Sequence, residues 1–246
     1  MKAVVTGCAG GAVLLLLGLW SACGRPRAPA GDDKWAAARQ AMIEQIRRYG
    51  VRDEAVLGAM DRVRRHAFIP ARCLALCDPY GDHPCPIGHG QTISQPFIVA
   101  YMTAKIAPRA GERILEIGTG SGYQAAVLAE MGAEVYTVEI VPELAAHAGR
   151  ALAAEGYDRV HVLAGDGYQG WPEHAPFDAV IVTCAPGEVP VALVEQLKEG
   201  GRMILPLGEG YQRLVVLRKH AGRVETQEDL PVMFVPMIHG NTEDTE

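Results

Sequence analysis

The sequence predicts an α/β fold, an open and mostly parallel sheet wrapped by helices, with an antiparallel C-terminal edge and extra helices on the N-terminal side. Short apolar runs rich in β-branched residues read as strands buried on both faces. They are Arg113-Ile114-Leu115-Glu116-Ile117, Glu134-Val135-Tyr136-Thr137-Val138-Glu139, Val160 to Ala164 and Asp178-Ala179-Val180-Ile181-Val182-Thr183. Helical stretches separate the first of them, as parallel neighbours require; Tyr123 to Met131 begins one. The third observation is what stands at the strand ends. Gly118, Gly120 and Gly122 follow the first, Glu139 closes the second, and Gly165-Asp166-Gly167 follows the third.

The three alternate glycines let the backbone turn sharply and approach a ligand closely. They occupy the first βα turn, where open α/β sheets hold nucleotide-like ligands. Dinucleotide sites use G-x-G-x-x-G, which seats a pyrophosphate on a helix N-terminus. Here the spacing is G-x-G-x-G, and Glu116 precedes it at the strand end. A carboxylate there repels phosphate and suits a cationic ligand with an amino group, such as S-adenosylmethionine. Glu139 stands about 20 residues on, where doubly wound folds place an acceptor for ribose hydroxyls. Asp166 can accept from an adenine amino group, and Gly167 lets a ring lie against the backbone. One such acid alone is commonly a surface group or a helix cap; three at successive strand ends form a set.

In chain order, 246 residues suit one domain with an N-terminal addition, and a formal charge of −6 argues against nucleic acid as a partner. Lys2, an apolar stretch from Ala3 to Leu19 and the small residues Ser21-Ala22 before Cys23 have the layout of a secretory signal. Ser21-Ala22-Cys23 resembles a bacterial lipobox, in which the cysteine is lipidated, although Trp20 stands where such boxes usually carry Leu. Retention as an uncleaved anchor is the alternative. Residues 1–23 are therefore expected to be a signal or lipoprotein-type anchor, which would be the chain's membrane contact. Residues 24–34 form a Pro-, Ala- and Gly-rich tether, and 241–246 a disordered tail. The expected location is the cell envelope or periplasm, with the cytoplasm as alternative.

Between tether and sheet, Met42, Ile43, Ile46 and Tyr49 recur at helical spacing from Trp35 to Tyr49. Asp53 can cap a second helix, Glu54 to Val63, with Val56, Leu57 and Met60 inward. An irregular segment then carries Cys73, Cys77 and Cys85. In an exported chain a disulfide is expected there, from Cys85 to either of the others. Cys184, at a strand end, reads as a small buried residue, and the cysteine spacing matches no structural zinc site.

The stretch Pro86-Ile87-Gly88-His89-Gly90-Gln91-Thr92-Ile93-Ser94-Gln95-Pro96 reads as a loop by composition, with Pro96 opening a helix to Ile106. Ser94 has two readings at this point: a cap for the helix amides, or a hydroxyl that holds an anionic group at the helix start. His83 and His89 read as loop residues. Beyond the fourth strand, Val189 to Leu197 is expected to be helical and to end at Gly200-Gly201. Arg202 to Pro206, Leu214 to Arg218 and Glu228 to Val235 are the remaining strands.

These motifs resemble the protein-L-isoaspartate O-methyltransferase family. The likeness rests on Gly90 to Pro96, Leu115 to Tyr123, Gly165-Asp166-Gly167-Tyr168-Gln169-Gly170-Trp171, Ala175-Pro176-Phe177-Asp178-Ala179 and Phe234-Val235-Pro236-Met237. It covers nearly everything from Trp35 to Gly240. The resemblance implies a Rossmann-like class I methyltransferase sheet over residues 35–240. It implies methyl transfer from S-adenosylmethionine to isoaspartyl side chains of damaged proteins. The family's active-site serine falls on Ser94, and cofactor contacts fall on Gln91, Thr92, Ile93, Val99, Glu116, Glu139, Asp166, Gly167 and Ile238, beside Gly118, Gly120 and Gly122. No metal is implied, and a monomer is expected. Two features depart from the family pattern: the density of cysteines before Pro86, and the N-terminal signal.

Overall fold

The structure, a computed structural model, describes residues 34–240. The expected anchor over 1–23, the tether up to residue 33 and the tail after 240 lie outside the described residues.

Helix α1 (Ala36–Arg48) buries Met42, Ile43 and Ile46 of the expected stripe, whereas Tyr49 falls past the helix end and is exposed; the helix ends in Arg47 and Arg48, where positive charge suits the helix dipole. Asp53 caps α2 (Glu54–Arg62) by accepting from the amides of Ala55 at 2.9 Å and Val56 at 3.2 Å. A short helix, α3 (Ala71–Leu74), leads into the cysteine segment.

The disulfide expected at Cys85 is not formed, for Cys73, Cys77, Cys85 and Cys184 are all free thiols. Cys73 is packed in the core, while the Cys85 thiol bonds to the carbonyl of Asp78 at 3.5 Å and lies beside Cys77, with which it is hydrogen-bonded and not bridged.

The stretch expected to be a loop is instead a small hairpin. Strands β1 (Cys85–Gly88) and β2 (Gln91–Ile93) pair antiparallel, joined by His89 and Gly90 with φ of 53° and 69°. Gly and Pro disguised it, since pairing at such short strands depends on the turn more than on apolar alternation. Helix α4 (Pro96–Ile106) follows.

The main sheet then forms from β3 (Arg113–Ile117), β4 (Glu134–Glu139), β5 (Val160–Ala164), β6 (Phe177–Val182), β7 (Leu197–Leu207), β8 (Gln212–His220) and β9 (Arg223–Val232). Helices α5 (Tyr123–Glu130), α6 (Pro142–Ala154) and α7 (Val191–Glu195) connect them. The strand order is β5-β4-β3-β6-β7-β8-β9, parallel up to β7 and antiparallel beyond it.

Several boundaries differ from expectation, those of β7 and β9 the most. β7 begins at Leu197 rather than Arg202, because Gly200-Gly201 enters the sheet at a register shift against β6 instead of ending a helix. β9 begins at Arg223 and stops at Val232, so Phe234 and Val235 leave the sheet. Its exposed, charged start hid the strand from a hydrophobic reading.

Alternate strand residues point to opposite faces. Ile114, Val135, Ala179 and Ile181 join one core with α1, α2, α4 and α5, while Leu115, Tyr136, Val138, Val180 and Val182 join a second on the other face. Both faces of β3 are thus covered, which is why Ile114, Leu115 and Ile117 are apolar whichever face they point to, with Glu116 the exception that opens on the crevice. After β3 the chain builds outward through β4 and β5, then returns to lay β6 on the other side of β3. At such a reversal the flanking loops diverge and leave a crevice at the strands' carboxyl ends. Among the described residues no helix is long and apolar enough to cross a membrane.

Candidate active site

That crevice holds a cavity of about 270 Å³. Gly90 to Ser94 and Val99 form one wall; Glu116 to Ser121, Tyr123 and Gln124, and Val138 to Val141 form another. Gly167, Thr183-Cys184 and Val235 to Ile238 close it. All the residues singled out in the sequence lie on this wall except Gly122 and Asp166.

Glu116 is fully buried, and neither carboxylate oxygen has a hydrogen-bond partner. Burial pushes its pKa up to about 8, and the nearby charge of Glu139 adds to it; the neighbouring Thr137 hydroxyl is paired with Thr119 at 2.7 Å. An orphaned acid facing a cavity costs stability unless something in the cavity satisfies it. Glu139 is held differently: Oε2 accepts from the Gly120 amide at 2.7 Å and Oε1 from the Val141 amide at 3.0 Å. This fixes the carboxylate while each oxygen keeps a second lone pair.

The glycines divide the work. Gly118 (φ 92°) has no room for a side chain, since a Cβ would lie 2.5 Å from Thr183 Oγ1, which itself donates to the Gly118 carbonyl. Gly167 would place a Cβ 2.5 Å from Ile117 Cγ2 and 3.2 Å from Met237. Gly120 and Gly167 both face the cavity. Gly122 packs instead against Ala148 and Leu152 of α6, so its contribution is the turn and the close approach of two helices. Asp166 lies at the rim, accepting from the amides of Tyr168 at 2.8 Å and Gly240 at 3.2 Å. It fastens the C-terminal segment, which also pairs with Ala185 through Pro236 and Met237.

Across from the acids, Ser94 lies on the cavity wall with no hydrogen-bond partner among the described residues. It does not cap α4: the amide of Phe97 donates instead to Asp82. Ile238 is at the mouth, 56% exposed.

Sequence reasoning missed Thr183, Cys184, Gln124 and Asp82. Cys184, expected to be a small buried residue, is only partly buried: it packs against the second core on one side and lines the cavity on the other, and its largely enclosed thiol has its pKa raised to about 12. Its place directly after the fourth strand was the available signal, for that strand borders the crevice. Among the described residues no His, Cys, Asp and Glu cluster of three or more is placed to hold a metal ion.

The donor set fits a cationic, amino-bearing nucleotide-like ligand: an unsatisfied buried carboxylate, a second one fixed by backbone amides, and glycines with no space for a side chain. A pyrophosphate would face Glu116 and Glu139 with no cation between. A family model described as protein-L-isoaspartate (D-aspartate) O-methyltransferase matches residues 37–242.

The chain belongs to that family.

A relative from Gloeobacter violaceus, named protein-L-isoaspartate O-methyltransferase, is 58% identical over 198 residues, covering 79% of this chain and 95% of its own length. One from Opitutus terrae with the same name is 52% identical and covers 80% of this chain and 85% of its own. A solved protein-L-isoaspartate O-methyltransferase superposes with a TM-score of 0.74 at 30% identity, over 82% of this chain and 67% of that one. A Plasmodium falciparum structure described as a beta-aspartate methyltransferase, in complex with S-adenosyl-L-homocysteine, gives 0.73 at 27% identity over 81% and 98%. The open, mostly parallel sheet expected from the strand pattern is the fold observed, antiparallel edge included, and it is the Rossmann-like class I methyltransferase sheet that the resemblance implied.

Proposed function

We propose that the cavity is where this chain performs its family's reaction, methyl transfer from S-adenosylmethionine to the side-chain carboxylate of L-isoaspartyl, and D-aspartyl, residues in damaged proteins. The observation that carries this reading is the unpartnered buried carboxylate of Glu116 facing the free hydroxyl of Ser94 across one space.

Glu116 would receive the amino group of the donor, Glu139 the ribose hydroxyls, and Gly167 would lie against the adenine, with Asp166 at its edge. Gln91, Thr92, Ile93, Val99 and Ile238 would complete the enclosure. Bound there, S-adenosylmethionine supplies a methyl group on a sulfonium that is its own leaving group. An isoaspartyl carboxylate is already ionised at neutral pH, so the protein has no proton to remove. Its task is alignment and exclusion of water. Ser94 and the neighbouring amides would orient the carboxylate. Once esterified, the side chain is a better leaving group; the adjoining main-chain nitrogen can close on it to a succinimide, which water reopens in part to normal aspartate.

The test is to incubate the enzyme with methyl-labelled donor and matched aspartyl and isoaspartyl peptides. Label confined to the isoaspartyl peptide is expected. Label on both, or on free acids, would point to another carboxylate, and donor binding without transfer would point to a binding protein.

For location we propose the cell envelope, supported by Lys2, the apolar run and the Ser21-Ala22-Cys23 sequence. Membrane fractionation after labelling with a fatty acid tests it; unlabelled enzyme in the soluble cytoplasmic fraction would overturn it.

A further inference from the structure

Helix α4 starts without a cap of its own. Gln95 at the N-cap position makes no side-chain bond to the helix amides, and Pro96 at the first position has no N–H to offer. The next amide, Phe97 N–H, donates to Asp82 Oδ1 at 2.8 Å. The other oxygen of the same carboxylate accepts from Gln95 Nε2, also at 2.8 Å. A residue from the loop before β1 therefore holds both the helix start and the residue that follows Ser94.

The placement relative to the hairpin matters as much. Cys85 pairs with Ile93 at the open end of β1–β2. Asp82 and Gln95 lie just beyond that pair, so their bond closes the base of the hairpin whose second leg supplies Gln91 to Ser94. The hairpin is otherwise short, with a register shift between Pro86 and Gly88.

We propose that Asp82 is a positioning residue for methyl transfer, which takes over the capping of α4 and pins Gln95 so that the Ser94 hydroxyl stays turned to the cavity. The reason lies in the chemistry of serine. A serine just before a helix readily bonds to nearby free amides. With the Phe97 amide unoccupied, the Ser94 oxygen has a competing local donor; accepting from it would swing the side chain toward the helix start and aim the O–H away from the cavity where the carboxylate must be met. With Asp82 in place the competition is removed, and negative charge at the helix start is favourable in its own right. Asp82 touches neither substrate nor cofactor; it acts through Ser94, and so rests on the role proposed for that serine.

The test is a double-mutant cycle on the full chain with Asp82→Ala, Ser94→Ala and the pair. It measures kcat and KM for an isoaspartyl peptide, the affinity for S-adenosylhomocysteine, and the melting temperature. Asp82→Ala should lower kcat about tenfold and leave cofactor-product affinity within about twofold. In the Ser94→Ala background it should cost less than about twofold more, since residues acting as one unit are not additive. Should Asp82→Ala fail to fold, Gln95→Met leaves Asp82 on the Phe97 amide and removes only its bond to the side chain that follows Ser94, and should lower kcat about threefold only while Ser94 is present. Losses that multiply independently in the double variant would overturn the proposal, as would a kcat that follows the melting temperature alone. Full activity in Ser94→Ala would refute the serine's role itself. Loss of S-adenosylhomocysteine binding by the unsubstituted chain would instead refute the site.

Discussion

The two walls of the cavity meet across the same space but are held in place by different means. The acidic wall grows out of β3 and β4, central strands covered on both faces, so Glu116 and Glu139 inherit their positions from the sheet. The serine wall is a hairpin of seven strand residues whose base is closed by one carboxylate, Asp82. The first is rigid and tolerates an unsatisfied charge because the core surrounding it is strong. The second is cheap to build and depends on individual hydrogen bonds. Substitutions in the acidic wall should therefore change ligand binding, and those in the serine wall should change turnover.

The sharpest separation comes from Glu116→Gln. Removing one member of a buried charge pair costs 2–5 kcal/mol, so donor affinity should fall roughly a hundredfold or more by calorimetry. The fold should be intact at pH 6, where the native carboxyl is already neutral. Ser94→Ala is the counterpart, with kcat down about a hundredfold, the order seen for loss of a placed donor, and donor affinity unchanged. If both variants lose binding and turnover alike, the division of labour is wrong.

The pH dependence sharpens the acidic wall further. The folded pKa of Glu116 is raised from 4.5 to about 8, so between those values the folded state holds a proton that the unfolded chain has released. This contribution to stability is complete below pH 4.5 and is lost as pH rises to about 8, at up to roughly 1.4 kcal/mol per pH unit. Denaturant titrations of wild type and Glu116→Gln should differ by that slope, and equal slopes would remove Glu116 as its source. Donor affinity should move the opposite way, rising between about pH 6 and 8 as the carboxylate forms. The smallest effect is expected at Cys184. With its thiol pushed up to about 12 by burial, it should resist alkylation near neutrality. Cys184→Ala should keep turnover within about threefold, and a larger loss would give that thiol a part in the reaction.

The same contrast explains what could be read in advance. Strands β3 to β6 announce themselves by short, mostly apolar runs, and the acids at their ends follow from topology, because a parallel sheet brings successive strand ends to one edge. The G-x-G-x-G spacing added the turn, though not the finding that Gly122 serves helix packing. The hairpin was hidden by Gly and Pro, and β7's early start by a double glycine that usually ends helices. Asp82 was the hardest to see. Nothing local marks an aspartate as the cap of a helix that begins fourteen residues later; only the folded hairpin brings them together.

One link described by neither wall alone has a consequence for synthesis. Helix α4 is tied to β9, where the Tyr101 hydroxyl donates to Asp229 at 2.7 Å and Lys105 pairs with the same carboxylate at 2.7 Å. The segment that closes the cavity, Val235 to Ile238, emerges later still. A nascent chain with these residues inside the ribosome has its acids and its serine but not the buttress behind them, so competence arrives only after Val235 to Ile238 have emerged.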